Sequence, residues 1–141
     1  MTIGDPVSPI GSFTDPEYAQ VGLTEEKARE TYDVVTAVVR FDSTTRTIID
    51  GRTVGFCKMI VDRTTCRILG CHVVGERAVE ITQVAAIAIA ARMRVNDLAN
   101  IPLSFPTYAG IVAHVAAKAT RELNLKASWQ AHQVESASYQ F

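Results

Sequence analysis

The sequence has no excess of basic residues and none of the common phosphate-binding loops. Lysine and arginine number 14 against 15 aspartate and glutamate residues, which gives a formal net charge of -1. A surface that neutralises many nucleic-acid phosphates is normally basic, so this balance argues against nucleic-acid binding. Neither GxGxxG nor GxxxxGK followed by Ser or Thr occurs, so the chain encodes no dinucleotide or nucleotide triphosphate loop of those kinds.

Cysteine is scarce, and no C-x-x-C pair is present. The three cysteines are Cys57, Cys66 and Cys71, an odd number that leaves at least one thiol unpaired in a monomer. Cys57 and Cys71 lie in apolar runs, where we interpret them as small hydrophobic residues rather than redox groups. The histidines are widely separated and lack ligand spacing, so we predict no metal site.

Long hydrophobic runs are also absent. The longest strongly apolar run, Val84 to Ala91, is far shorter than a membrane span. The first residues have neither the basic nor the apolar region of a signal peptide, and we expect a cytoplasmic protein. A length of 141 residues suits one domain. We predict that residues 1–12 are a linker or the start of the chain, 13–123 the domain and 124–141 a C-terminal tail.

The middle of the chain has the composition of β-strands. Residues 33–41 are rich in valine, and residues 54–61 alternate in polarity. The polar break at 62–65 separates the second run from an apolar run at 66–75, which predicts a hairpin. Residues 13–22 predict a short extended piece, and residues 42–51 predict a loop that contains at most a short turn of structure.

Three helices are predicted around these strands. Thr24 can cap a short helix over 25–31, because two glutamates follow it in the first turn. Residues 76–93 lack glycine and proline and are rich in alanine. Residues 108–123 place apolar side chains at helical spacing. Together these elements predict an α+β fold with an antiparallel sheet and helices packed on one side.

The segment from Val84 to Ala91 is apolar on every face of its predicted helix. A helix that lies on a sheet needs only one apolar stripe, so the outer side also requires cover. A second subunit is one source of that cover, and tolerance of small alanines at the surface is the other interpretation. The first interpretation makes a homodimer, with the candidate interface residues Val84, Ile87, Ala88, Ala91, Tyr108 and Val112.

Several ordered blocks resemble one known domain. FTDPEYAQVGLTE at residues 13–25 resembles the FTDPE-x-A-x-VG-x-TE block that opens the C-terminal interface domain of pyridine nucleotide-disulfide oxidoreductases. GFCK at 55–58 and RILGCHVVG at 67–75 resemble two strands of that domain. Smaller matches are Ala78, Glu80, Asp97, Leu98, Pro106 and Thr107.

The resemblance implies the dimerisation domain of an FAD-dependent NAD(P)H oxidoreductase involved in redox homeostasis. Such a parent enzyme has FAD and NAD(P) domains upstream and is a homodimer whose interface domain closes the partner subunit's flavin site. By this resemblance Phe105 and Pro106 lie near the partner's FAD. We expect no cofactor bound to this chain alone, and no activity from it alone.

One family motif departs from its pattern. The family's His-Pro-Thr-x-x-Glu motif supplies an acid/base histidine and the glutamate that orients it, and here Phe105 and Gly110 occupy those positions. Phenylalanine cannot transfer a proton, so we assign no catalytic residue. A free-standing interaction domain without a catalytic parent is the alternative function. The electron acceptor and the choice between NADH and NADPH are left open.

Overall fold

The computed structural model describes residues 7–125, which form a five-stranded sheet and five α-helices. All strand pairs are antiparallel, in the order β1-β2-β5-β4-β3. The predicted α+β class is therefore confirmed. The elements are β1 (Ile10–Ser12), β2 (Tyr18–Gly22), α1 (Glu25–Arg29), β3 (Val34–Arg40), a 3-10 turn (Phe41–Ser43), α2 (Thr45–Asp50), β4 (Phe56–Asp62), β5 (Ile68–Val74), α3 (Ala78–Ala90), α4 (Val95–Ala99) and α5 (Gly110–Glu122).

The predicted hairpin is the β4–β5 pair at the centre of the sheet. Its register places Met59 opposite Cys71 and Lys58 opposite His72. The buried carboxylate of Asp62 organises the turn, since it accepts hydrogen bonds from the Thr64 amide at 3.1 Å and the Thr65 hydroxyl at 2.7 Å. A short polar side chain that bonds to its own turn is a common way to reverse a strand.

The two long helices cover one face of the sheet. α3 packs against β2 and β5, and α5 packs against β3 and β4. Inward side chains of the strands and of both helices form one buried core. The opposite face carries only a small cluster, in which Ala28 of α1 meets Val34 and Ile60. Side chains along each strand therefore alternate between the buried face and the more open face of the sheet.

α3 divides into a buried side and an open side. Ala85, Ala88 and Ile89 face the core and are at most 5% exposed, whereas the side chain of Ile87 is 71% exposed. Ala91, just after the helix, is also exposed. The exposed side of α3 carries Glu80 and Gln83 in its first half and Ile87 and Ala90 in its second, so this chain leaves one side of the apolar second half uncovered.

Two segments differ from the sequence-based expectation. Residues 42–51, predicted as a loop, contain the turn and α2, because the hydroxyls of Thr44 and Thr47 hydrogen-bond each other at 2.7 Å and Gly51 ends the helix with φ 68°. Residues 1–12 were predicted as a linker, yet Ile10–Ser12 pair with β2 as an edge strand. The rest of the predicted tail, residues 126–141, lies outside the described residues.

The first family-like block holds two parts of the fold together. Thr24 caps α1 as predicted, since its hydroxyl accepts the Lys27 amide at 3.2 Å. Glu17 accepts the amide of Val79 at 3.2 Å through its carboxylate, and its carbonyl accepts the Gly75 amide at 2.8 Å. A carboxylate at the first turn satisfies amides that lack partners within the helix.

Two glycines provide a matched test of this backbone. Gly75 has φ 138°, and an added Cβ would lie 2.3 Å from the Phe41 ring, so Gly75→Ala should destabilise the chain by about 2 kcal/mol or more. At Gly110 an added Cβ meets nothing closer than the Thr107 hydroxyl at 3.4 Å. Gly110→Ala should therefore stabilise by about 0.5–1 kcal/mol. Urea unfolding measures both, and equal effects of the two changes would contradict the packing described.

Candidate functional site

The segment before α5 carries the motif that departs from the family pattern. The Thr107 hydroxyl donates to the Ser104 carbonyl at 2.7 Å and accepts the Gly110 amide at 3.1 Å. Thr107 thus binds the amide of the first residue of α5, while Gly110 offers no side chain to bond back to Thr107 as in a capping box. Phe105 is 73% exposed and Pro106 is half-buried. The loop therefore presents an apolar ring where the family pattern has a histidine.

Tyr108 ties this loop to α2. Its hydroxyl donates to Asp50 at 2.7 Å, and the Nε of Arg46 donates to the same carboxylate oxygen at 3.1 Å. The hydrogen bond from Tyr108, followed by that from Arg46, lowers the pKa of Asp50. Burial, together with the bond to Asp50, raises the pKa of Tyr108. The carboxylate form of Asp50 is therefore the one that holds the two segments together.

A cleft of about 550 Å³ opens beside this contact. Its walls come from three parts of the chain: Arg46 of α2, Arg77 and Glu80 at the start of α3, and Thr107 and Tyr108 before α5. The guanidinium carbons of Arg77 and Arg46 lie 5.2 and 6.0 Å from the centroid of the Tyr108 ring. Both distances allow a cation–π interaction.

None of the other candidate chemical groups forms a site. Within residues 7–125 no hydrogen bond joins Ser104, His114 and Asp97, the three residue types of a hydrolase triad. His114 is exposed on α5, and His72 bonds the Leu23 carbonyl at 3.1 Å, as expected for a structural residue. No group of three or more metal-binding side chains occurs in this part of the chain.

The cysteines behave as core residues. Cys57 and Cys71 are fully buried, and their Sγ atoms lie 3.7 Å apart. The hydrogen bond with Cys71, together with burial, raises the pKa of the Cys57 thiol well above its usual value. The thiolate is the reactive form, so this environment suppresses its nucleophilicity. Cys66 is half-buried at the end of the β4–β5 turn.

The six predicted interface residues separate into two groups. Ile87 and Ala91 are exposed and Val84 is half-buried, so their side chains have area left for a partner. The other three are at most 7% exposed because they pack within the chain's own core: Ala88, Tyr108 and Val112.

Sequence reasoning missed the residues that build the cleft. Arg46 and Asp50 stand four apart, which is the spacing of a helical ion pair, but residues 42–51 were predicted as a loop. Arg77 and Tyr108 are far apart in sequence, and no local pattern indicates that they meet. No helix in residues 7–125 is long and apolar enough to cross a membrane.

Comparisons with known proteins agree with this architecture. The profile of the family described as "Pyridine nucleotide-disulphide oxidoreductase, dimerisation domain" matches residues 8–116. Mercuric reductase of Lysinibacillus sphaericus is 38% identical over 104 residues, which cover 73% of this chain and 19% of that protein. Dihydrolipoyl dehydrogenase of Synechocystis sp. is 34% identical over 109 residues, covering 74% of this chain and 23% of that protein.

The solved structures extend the comparison to the fold. The HOCl-induced flavoprotein disulfide reductase RclA from Escherichia coli matches with a TM-score of 0.76 at 24% identity, over 80% of this chain and 26% of that one. LpdA from Mycobacterium tuberculosis matches with a TM-score of 0.75 at 25% identity, over 80% of this chain and 25% of that one. Both matches cover about a quarter of a longer chain.

The fold is that of a small α+β domain with a cleft at the start of its long helices. In the motif at residues 105–110, Phe105 and Gly110 stand where the family pattern has histidine and glutamate. The chain belongs to the pyridine nucleotide-disulphide oxidoreductase dimerisation-domain family, because the family profile spans most of its length. It spans 19% and 23% of the two curated relatives named above. The resemblance drawn from the sequence is thereby confirmed.

The Asp50 contact predicts a pH dependence of stability. The folded pKa of Asp50 is lowered, so its contribution is present above the unfolded value of about 3.9 and is lost as pH falls through the folded value. Asp50→Asn should therefore lower the free energy of unfolding most at neutral pH, and the difference should shrink below about pH 4. Urea titrations at several pH values measure it.

The control is Asp33→Asn. Asp33 is 66% exposed in a surface ion pair with Arg63, and such pairs contribute little to stability. A loss for Asp50→Asn that stays constant down to about pH 2, or that equals the Asp33→Asn loss at neutral pH, would contradict the role given to Asp50.

Proposed function

We propose that this domain forms the homodimer interface of an FAD-dependent NAD(P)H oxidoreductase through the open side of α3. The observation that carries the proposal is the 71% exposure of Ile87 on a helix whose other side lies in the core. Membership of the dimerisation-domain family supports the same assignment. An apolar face that its own chain leaves uncovered is typical of association surfaces.

The proposed interface combines three residues of one helical region. Ile87 and Ala91 are four residues apart and share a face, and the half-buried Val84 lies three before Ile87. The small Ala91 allows close approach of a second helix. In a two-fold dimer the same face meets itself, so each contact is made twice. The partners proposed for this domain are a second copy and the upstream FAD and NAD(P) domains of the parent.

The segment around Phe105 is proposed to close the partner subunit's flavin site. Its ring is 73% exposed, and a planar apolar ring suits packing against a planar heterocycle such as a flavin. Bound in the parent, FAD would supply hydride transfer. Neither Phe105 nor Gly110 can hold or move a proton there, so the domain contributes packing and exclusion of water rather than acid/base chemistry.

The dimer proposal predicts a large effect of charge at Ile87. Ile87→Asp removes apolar burial and places a carboxylate in the interface twice, once from each subunit. The dissociation constant of the dimer should rise at least about a hundredfold. Sedimentation velocity across a concentration series measures the change.

Val54→Asp is the matched control, because Val54 is 72% exposed and lies in the connection between α2 and β4 rather than on α3. It should leave the dissociation constant unchanged. Sedimentation of the unchanged chain as a monomer at tens of micromolar, or equal weakening by both variants, would reject the proposed interface.

The flavin-side proposal has its own test in a full-length oxidoreductase that carries this domain. Phe105→Ala should open the flavin to solvent and change its fluorescence quenching by an external quencher such as iodide. Ile101→Ala is the control, since Ile101 is 41% exposed in the same connection. Identical quenching in all three proteins would show that Phe105 does not cover the flavin.

A further inference from the structure

Arg77 has an unusual position at the edge of the cleft. Within residues 7–125 its side chain makes no hydrogen bond and no ion pair within 4.0 Å, and its guanidinium lies over the face of the Tyr108 ring at 5.2 Å. Its charge also helps to lower the pKa of Asp50, which Tyr108 and Arg46 bond directly. Its backbone has φ 59°, a left-handed conformation that is uncommon for residues other than glycine. The chain thus holds an exposed guanidinium beside a cavity in which Asp50 and Glu80 are the nearby acids, but neither bonds it directly.

A second guanidinium, that of Arg46, lines the same cleft and has hydrogen-bond donors that are not used within the described residues. Arg46 uses only its Nε towards Asp50, and its terminal amino groups make no bond within the described residues. Both arginines lie within 6.0 Å of the Tyr108 ring centroid. The ring therefore fixes two planar donor groups at one cavity, the arrangement that matches carboxylates and phosphates.

The backbone amides at the N-terminus of α3 do not supply the hydrogen-bond donors of this cleft. The first amides of α3 are already occupied, because Val79 donates to Glu17 at 3.2 Å and Ala78 donates to the Gly75 carbonyl at 3.2 Å. Side chains therefore supply the donors. Glu80 also lines the cleft and brings one negative charge.

We propose that this cleft binds a small free oxyanion, a carboxylate or a phosphate, held by Arg77 and Arg46 over the Tyr108 ring. Glu80 limits the negative charge that the cleft accepts, and it offers an acceptor to a ligand that carries an N–H or O–H group beside its acid. The cleft volume of about 550 Å³ is in the range of small-molecule sites. This inference does not rest on the proposed dimer or on a flavin.

The test is a titration of the isotopically labelled chain, followed through its backbone amide resonances. Inorganic phosphate and acetate are the probes, at constant ionic strength maintained with sodium chloride. We expect saturable shifts confined to α2 around Arg46, to the start of α3 and to residues 107–109. A tighter response to one probe assigns the phosphate or the carboxylate class.

Two substitutions in the cleft should act in opposite directions. Arg77→Asn should weaken phosphate binding about tenfold or more, because it removes a charged donor, and asparagine tolerates the left-handed backbone. Glu80→Gln should tighten phosphate binding several-fold, since it removes a like charge. Arg46→Lys, which keeps the charge but loses the planar fork, should weaken binding less than Arg77→Asn.

Arg63→Gln is the control, because Arg63 pairs with Asp33 at the far end of the β4–β5 hairpin. It should leave phosphate binding unchanged. Shifts that rise linearly without saturation, shifts spread over the whole surface, or equal loss in Arg63→Gln and Arg77→Asn would overturn the proposal. Resonances of the sheet that keep their positions in each variant establish that it is folded.

Discussion

The structure depends on a helix, α3, whose second half is apolar on both sides and has only one sheet to cover it. α3 buries Ala85, Ala88 and Ile89 against the sheet and leaves Ile87 in solvent. Burial of an isoleucine side chain is worth about 1.5–3 kcal/mol, so an interface that covers Ile87 in both copies gains several times the thermal energy. The second long helix, α5, covers the rest of the same face of the sheet, so nothing within this domain is left to cover the outer side of α3 among the described residues.

Side-chain contacts between distant segments hold the two helices at their starting points. Glu17 bonds the first turn of α3, and Tyr108 bonds Asp50 from the segment that precedes α5. These contacts join the edge strand region, α2 and the start of both long helices into one end of the domain. The cleft lies at this end, next to the Phe105 segment, and the proposed helix interface around Ile87 begins about two turns further along α3.

Much of the fold followed from local patterns. The polar break at 62–65 between two β-like runs predicted the central hairpin, and the family-like blocks predicted the domain. Glu80 and Gln83 mark the outer side of α3 in its first half, but its second half, Val84 to Ala90, contains no polar residue that shows which side faces out. For this reason Ala88 was proposed for the interface although it packs inward. Tyr108 and Val112, at the start of α5, were proposed from helical spacing that does not tell the side facing the sheet from the side facing a partner. α2 was missed because it is short and is held by threonine hydroxyls rather than by an apolar period. Arg77 and Tyr108 meet only after the chain has folded, and no sequence spacing reports that contact.

The most direct test of the central claim is the distance between the two copies of α3. Gln83 is exposed on this helix, and a spin label on Gln83→Cys, with Cys66 replaced by serine, leaves only the two buried cysteines as other thiols. Double electron–electron resonance should give one short, well-defined distance between the two spin labels across the two-fold axis. A trace without dipolar modulation, or a long distance that places the helices on opposite sides of the dimer, would contradict the account.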